Sequence, residues 1–348
     1  MSDSRPSIRV VVVDDSAFAR KVVREALEAD PRFEVVGTAR DGLDALEKIS
    51  ALKPDVVTLD LVMPNLDGVG VLKALPTLDL EKPPRVVVVT MSEDSSDVAV
   101  SALQSGAVAL VHKPTALASE QLYELAGELR EAVAAAAPAA PPRVKPTAAP
   151  VPPRPLVGRT SERRAILIGA STGGPQAVTF LLSRVPADFP VPILVVLHMP
   201  IGYTEALSRR LDHACAIEVV EAHEGVELRA GRAIIARGGM HLKVEPGAPA
   251  HGRLDLAPFE PPHRPSVDVL FESAAEAFGE RCVGVVLTGM GNDGTAGARA
   301  LRGANAVVLT EAESSCVVYG MPRAVKEAGL STREVPLEEM LSEIERWI

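Results

Sequence analysis

A chain of 348 residues, 47% hydrophobic and 24% charged, is long enough to build about two ordinary cores, which excludes disorder throughout. Its formal net charge of -10 excludes the basic face that a phosphate backbone demands, and no helix-turn-helix pattern replaces it; a DNA-binding output is the weakest reading and no nucleic-acid partner is expected. Met1-Ser2-Asp3-Ser4-Arg5-Pro6 lacks the apolar segment of a signal peptide and no apolar run reaches bilayer length, so a cytoplasmic protein without membrane insertion is expected. Cys215, Cys282 and Cys316 are odd in number and widely spaced, which suits reduced, buried thiols better than disulfides or a zinc cluster.

From the N-terminus, apolar runs at Ile8 to Val13, Val35 to Gly37, Val56 to Leu59, Val86 to Val89 and Ala109 to Val111 alternate with amphipathic stretches such as Ala17 to Glu28. That rhythm predicts an α/β domain over residues 7–131, a doubly wound parallel sheet of five strands. Asp14 and Asp15 follow the first strand, Asp60 the third, and Thr90 and Lys113 the fourth and fifth. In a parallel sheet the carboxyl ends of the strands share one edge, where ligands bind. Three carboxylates gathered there repel one another, and a hard divalent cation with oxygen ligands relieves the repulsion. Mg²⁺ suits such a site because it keeps waters and accepts a phosphoryl oxygen. One carboxylate can then form an aspartyl-phosphate, its new oxygens held by a lysine and a hydroxyl. Each residue alone has a plainer role: Asp14 and Asp15 as caps of the helix beginning near Ala17, Asp67-Gly68 as a turn, Lys113 as a surface charge. Only the set carries chemistry.

Over residues 132–162 the chain turns Ala/Pro-rich, as in Ala139-Ala140-Pro141-Pro142 and Pro150-Val151-Pro152-Pro153. Such a segment cannot pack as a domain and favours extended polyproline II, which predicts a semi-rigid linker. Its basic residues Arg143, Lys145, Arg154 and Arg159 are assigned to solubility.

Residues 163–348 repeat the α/β theme, with strands expected at Ala165 to Ile168, Ile193 to Leu197, Cys282 to Leu287 and Ala306 to Leu309. Ala233 to Ala236 and Leu254 to Leu256 suggest a short β excursion, with turns at Gly238-Gly239 and Pro246-Gly247. Gly169-Ala170-Ser171-Thr172-Gly173-Gly174 lies between an expected strand and a helix start. A G-x-S-x-G stretch there makes a sharp turn that lifts the serine hydroxyl clear of the sheet, and the helix N-terminus offers free N–H groups to an oxyanion. A glycine-rich turn of this kind also cradles phosphates, so this segment leaves both chemistries open. His198 after the second strand and Asp293 after the third meet Ser171 on the same carboxyl edge if the strands are parallel, as a catalytic triad requires. The order Ser, His, Asp differs from the Ser, Asp, His of α/β-hydrolases. His213, His223, His241, His251 and His263 lack such placement and are assigned to the surface or to structure. Ser266 and Asp268 look first like a helix cap and a first-turn carboxylate.

Asp14-Asp15, the segment Leu59 to Gly68, Thr90 and His112-Lys113-Pro114 together resemble the receiver domain of two-component response regulators across Ile8 to Glu131, with Leu110 where many receivers carry an aromatic. The resemblance implies that Asp60 accepts phosphate from a histidine kinase. It also implies that Asp14, Asp15, Asp60 and the Val62 carbonyl hold Mg²⁺, while Thr90 and Lys113 bind the phosphoryl group. Ile168 to Gly174, His198-Met199-Pro200, Arg264 to Asp268, Thr288 to Gly294 and Cys316 to Pro322 are similar to the chemotaxis protein-glutamate methylesterase family. That likeness implies a phosphorylation-activated serine esterase, needing no cofactor for the esterase reaction. Its substrates are the γ-glutamyl methyl esters of chemoreceptors, often with deamidation of receptor glutamines, and it works peripherally at receptor arrays. It also implies a triad of Ser171, His198 and Asp293, with Met290 beside it. Backbone amides after Ser171, on Thr172, and near Met290 are the expected oxyanion donors. The competing reading is a receiver fused to a non-catalytic α/β module that docks on receptors or sinks phosphate.

Overall fold

The computed structural model describes residues 7–90, 96–113, 119–137, 165–258, 261 and 263–348, and the chain divides into two compact units, Met1–Pro141 and Pro142–Ile348. The first unit alternates strand and helix: β1 (Ile8–Val13), α1 (Ala17–Glu28), β2 (Phe33–Ala39), α2 (Gly42–Leu52), β3 (Val56–Leu59), α3 (Gly68–Ala74), β4 (Arg85–Thr90), α4 (Ser96–Gln104), β5 (Ala107–His112) and α5 (Ser119–Ala136). All five strands are parallel in the order β2-β1-β3-β4-β5. Val10 to Val13 and Val86 to Val89 are buried on both strand faces, because helices cover both sides of the sheet. That is why these strands read as continuous β-branched runs rather than as alternation.

Two local expectations change. The cap of α1 is Ser16, whose hydroxyl accepts the Ala19 amide, not Asp14 or Asp15. The linker boundary at Ala132 falls inside α5, which continues to Ala136 with Ala132, Val133 and Ala136 buried. Alanine has the highest helix propensity, and these residues also pack, so an Ala-rich stretch before the first linker proline stays helical. Residues 138–164, which include the rest of the linker to 162, and Pro114 lie outside the described residues.

In the second unit come β6 (Ala165–Ala170), α6 (Gly174–Leu182), β7 (Ile193–Leu197), α7 (Tyr203–Ala214), β8 (Glu218–Glu221), β9 (Val226–Glu227), β10 (Arg232–Ile235), β11 (His241–Glu245) and β12 (His251–Asp255). They are followed by α8 (Val267–Phe278), β13 (Cys282–Val286), α9 (Thr295–Gly303), β14 (Val307–Glu311), α10 (Met321–Glu327), β15 (Arg333–Val335) and α11 (Leu337–Ile344). Seven parallel strands run β15-β14-β13-β6-β7-β10-β8, and β11-β12-β9 form a small antiparallel sheet. The Ala233 to Ala236 run is therefore not part of the excursion. It is β10, a parallel neighbour of β7 with Ala233 opposite Ile193, and its buried Ala233, Ile234 and Ile235 match that position. The excursion is the β11–β12 hairpin with β9 against it.

From β6 the chain winds outward through β7, then returns to lay β13, β14 and β15 on the other side of β6. The carboxyl end of β6 is the switch point of this sheet, the usual ligand position in doubly wound folds.

Candidate functional site

At the carboxyl edge of the first unit, Asp14, Asp15 and Asp60 each bring a carboxylate oxygen within 4.8 Å of the others. Lys113 Nζ reaches across to Asp14 and lies 3.2 Å from Asp60. Asp14, Asp60, Thr90 and Lys113 are buried and Asp15 is exposed. Burial pushes the Asp60 carboxyl up; the Lys113 charge opposes this and the Asp14 charge adds to it. Three carboxylates against one ammonium leave a double negative charge among the described residues, which the donor set of a hard divalent cation fits. The Lys113 amide donates to the Thr90 carbonyl at 2.8 Å, so β4 and β5 deliver both residues to the same end of the sheet. Val62 sits two residues past Asp60 in the β3–α3 loop with its side chain mostly exposed. Asp67 caps α3 through the Gly70 amide at 2.6 Å.

In the second unit Ser171 is the first residue beyond β6, followed by a tight turn in which the Gly174 amide donates to the Ser171 carbonyl at 2.6 Å. Gly173, not the serine, carries the left-handed backbone of this turn, with φ of 78°. The strands on either side of β6 supply the other residues. β7 delivers His198, whose amide donates to the Ala170 carbonyl at 3.3 Å, and β13 leads into the segment Thr288 to Gly294. Thr288 accepts the Ser171 amide on its carbonyl at 3.0 Å. Gly289 follows so closely that a Cβ on it would lie 2.9 Å from Ser171 Cβ, so only glycine fits.

His198 and Asp293 start two strands apart, a span of about 9.6 Å that no side chain closes alone. The gap is closed because the loop after β13 reaches the N-terminus of α8, where Asp293 becomes a cap supplied from outside the helix. Its Oδ1 accepts the Asp268 amide at 3.0 Å and the Ser266 hydroxyl at 2.9 Å; its Oδ2 accepts the Val267 amide at 2.8 Å and lies 2.7 Å from His198 Nε2. Burial opposes the Asp293 charge, but the His198 hydrogen bond and charge and the helix amides hold it well below the usual carboxylate range. His198 Nδ1, the other ring nitrogen, is buried with no hydrogen-bond partner among the described residues.

Ser266 is thus at the helix cap position as expected, but its hydroxyl serves Asp293 instead of the helix amides. His263, assigned above to surface or structure, stacks on the His198 ring with centroids 4.1 Å apart and planes 20° off parallel. Burial and the neighbouring His198 lower its pKa to about 4, so it covers His198 as a neutral ring. His241 is wholly buried and structural: its Nδ1 accepts the Ser266 amide at 3.2 Å and its Nε2 lies 3.0 Å from the Pro258 carbonyl. Burial pushes the Asp268 carboxyl up, to about 6, against the Gly297 amide that it accepts at 2.7 Å. No spacing in the sequence announces His263, His241 or Ser266 as neighbours of His198 and Asp293; the only hint is that Ser266 lies in the Arg264 to Asp268 segment singled out above. None of the three cysteines is in a disulfide, and Cys282 and Cys316 are buried.

Both units have counterparts among known proteins. Residues 166–344 match the family model described as CheB methylesterase, and residues 10–125 match the response regulator receiver domain. The protein-glutamate methylesterase/protein-glutamine glutaminase 5 of Myxococcus xanthus is 59% identical over 349 residues, covering 98% of each chain. That of Symbiobacterium thermophilum is 46% identical over 365 residues, covering 99% of each. Among solved structures, the Thermotoga maritima CheB methylesterase catalytic domain superposes with a TM-score of 0.52 at 35% identity, covering 53% of this chain and 99% of that one. The chain belongs to the CheB methylesterase family, as a member that carries a response-regulator receiver domain ahead of its hydrolase domain.

Proposed function

We propose that the chain hydrolyses glutamate γ-methyl esters on methyl-accepting chemoreceptors and deamidates receptor glutamines, with Ser171 as nucleophile, His198 as base and then acid, and Asp293 as its partner. The observation that carries this reading is the pairing of His198 Nε2 with Asp293 at 2.7 Å while Nδ1 stays buried, with no partner among the described residues, at the strand end beside Ser171. A carboxylate on Nε2 assigns the proton to that nitrogen and leaves the Nδ1 lone pair to take the serine proton. Ser171 Oγ then bonds to the ester carbon, and methanol leaves with the proton held by His198. Water repeats the sequence on the acyl-enzyme and releases the glutamate side chain; with glutamine, ammonia is the first leaving group. Since the Ser171 amide is committed to Thr288, the amides of Thr172 and Met290 are the candidate oxyanion donors; neither meets an acceptor among the described residues.

Control is assigned to Asp60. Its carboxylate takes a phosphoryl group from the phosphohistidine of a chemotaxis kinase, an O–P bond forming as the N–P bond breaks, and Thr90 and Lys113 hold the phosphoryl oxygens. Asp14, Asp15, Asp60 and the Val62 carbonyl are the residues that would hold Mg²⁺, which when bound offsets their charge and draws in a phosphoryl oxygen. The protein is assigned to the cytoplasm, meeting its receptors peripherally; no helix of the described residues is long and apolar enough to cross a membrane. The test is methanol release from a peptide carrying a glutamate γ-methyl ester, with and without a small phosphodonor. Ser171→Ala should be inactive in both conditions; a folded Ser171→Ala protein with normal release would overturn the assignment.

A further inference from the structure

Glu311, the last residue of β14, is wholly buried, yet among the described residues no lysine, arginine or histidine pairs with it. A carboxyl removed from water without a cation is unfavourable unless its oxygens are hydrogen-bonded. Here both are engaged, on opposite sides. Oε1 accepts the Ser315 hydroxyl at 2.9 Å, and Ser315 Oγ accepts the amide of Leu337, the first residue of α11, at 3.0 Å. Oε2 accepts the Thr288 amide at 2.7 Å. Thr288 in turn holds the turn after β6 twice: its carbonyl accepts the Ser171 amide at 3.0 Å and its hydroxyl donates to the Thr172 carbonyl at 2.9 Å. The same hydroxyl oxygen accepts the Val318 amide at 2.9 Å. A continuous line of hydrogen bonds therefore runs from α11 to the turn bearing Ser171, and the close approach of Gly289 to Ser171 leaves that turn no slack.

We propose that Glu311 is a positioning residue of the hydrolase: by gripping the Thr288 amide it sets the Thr288 to Asp293 loop in register with the Ser171 turn. The proposal rests on the assignment of Ser171, His198 and Asp293 above. An apolar residue at this position would leave the Thr288 N–H buried without an acceptor. Glutamine would keep the grip, because its carbonyl oxygen accepts from Thr288 and its amide donates to Ser315 Oγ, whose own hydrogen can turn to the Ala312 carbonyl at 3.2 Å.

The experiment uses the full chain, activated with a small phosphodonor, in two assays: turnover of the γ-methyl ester peptide, and the rate at which a fluorophosphonate labels Ser171. Glu311→Gln should keep kcat within about threefold. Glu311→Leu should lower kcat at least about tenfold with KM within about twofold, and slow labelling in parallel, because an interaction that orders the reacting groups acts on kcat. Folded Glu311→Leu with wild-type kcat overturns the proposal, as does Glu311→Gln impaired as severely as Glu311→Leu, which would place the effect in the charge. Should Glu311→Leu fail to fold, Glu311→Asp decides, since it keeps the charge but shortens the reach to Thr288; a roughly tenfold loss supports the proposal and wild-type kcat overturns it. Ser171→Ala assayed alongside separates the two claims: if it still turns over, the triad assignment has failed, whereas an inactive Ser171→Ala beside a fully active Glu311→Leu sinks the positioning role alone.

Discussion

Replacing Glu311 by glutamine should remove a large part of the pH dependence of the hydrolase domain's stability. Burial pushes this carboxyl from 4.5 to about 7; the Thr288 amide and Ser315 hydroxyl work against that rise, and the Glu338 charge and the nearby Cys316 thiol are the titratable neighbours that face it. Between those two values the folded domain retains a proton that the unfolded chain has released. The stabilising contribution is therefore complete below about pH 4.5 and is lost as pH rises through about 7. At 1.36 kcal/mol per pH unit the difference amounts to roughly 3 kcal/mol, most of it lost between about pH 5 and pH 8. Glutamine has no such proton and keeps the hydrogen bond to Thr288, so its stability should lack this component. Urea unfolding of the full chain can be followed by the single tryptophan, Trp347, which lies in the second unit with its indole N–H 3.2 Å from Glu343 and so reports that domain alone. With a urea slope of about 2 kcal/mol per molar, the wild-type midpoint should fall by about 1 M more than the variant's across that pH range. Midpoints that move in parallel for both proteins would refute the reasoning, since Glu311 would then ionise alike in the folded and unfolded chain.

Ser171→Ala and His198→Ala should each lower methanol release by about a thousandfold or more while leaving the urea midpoint close to wild type, because triad members act as one unit. Asp293→Ala should lose both activity and stability: it strips acceptors from the Ser266 hydroxyl and the Val267 and Asp268 amides, each stranded group costing about 1–3 kcal/mol, read from the same urea curves. A small phosphodonor with Mg²⁺ should label wild-type protein at Asp60, with labelling abolished by a chelator and by Asp60→Asn, as mass spectrometry of the intact chain and its peptides will report. Phosphodonor should raise ester hydrolysis by the wild-type chain and leave Asp60→Asn at its basal rate, measured as methanol release.

The sequence alone determined the elements and the edge they share. Runs such as Ile8 to Val13 and Ile193 to Leu197, alternating with amphipathic stretches, read as strands of a parallel sheet, and residues that end such runs then fall at one end of that sheet, which is how Asp14, Asp60, Lys113, Ser171 and His198 were legible as site candidates. Local chemistry also sufficed for the Ser171 turn, where Gly173 takes the positive φ. Tertiary structure decided everything that depends on which strands become neighbours. Strand order is set by packing between distant segments, so nothing local showed that β10 joins the main sheet beside β7, or that β6 separates the strands leading to His198 and Asp293. For the same reason Asp293 could be named from its loop, but not its role as the cap of α8, 26 residues before it at Val267. His263 and Glu311 lay beyond sequence reasoning altogether: a stacked ring and a buried carboxyl draw their character from what surrounds them, and those surroundings come from other strands and helices.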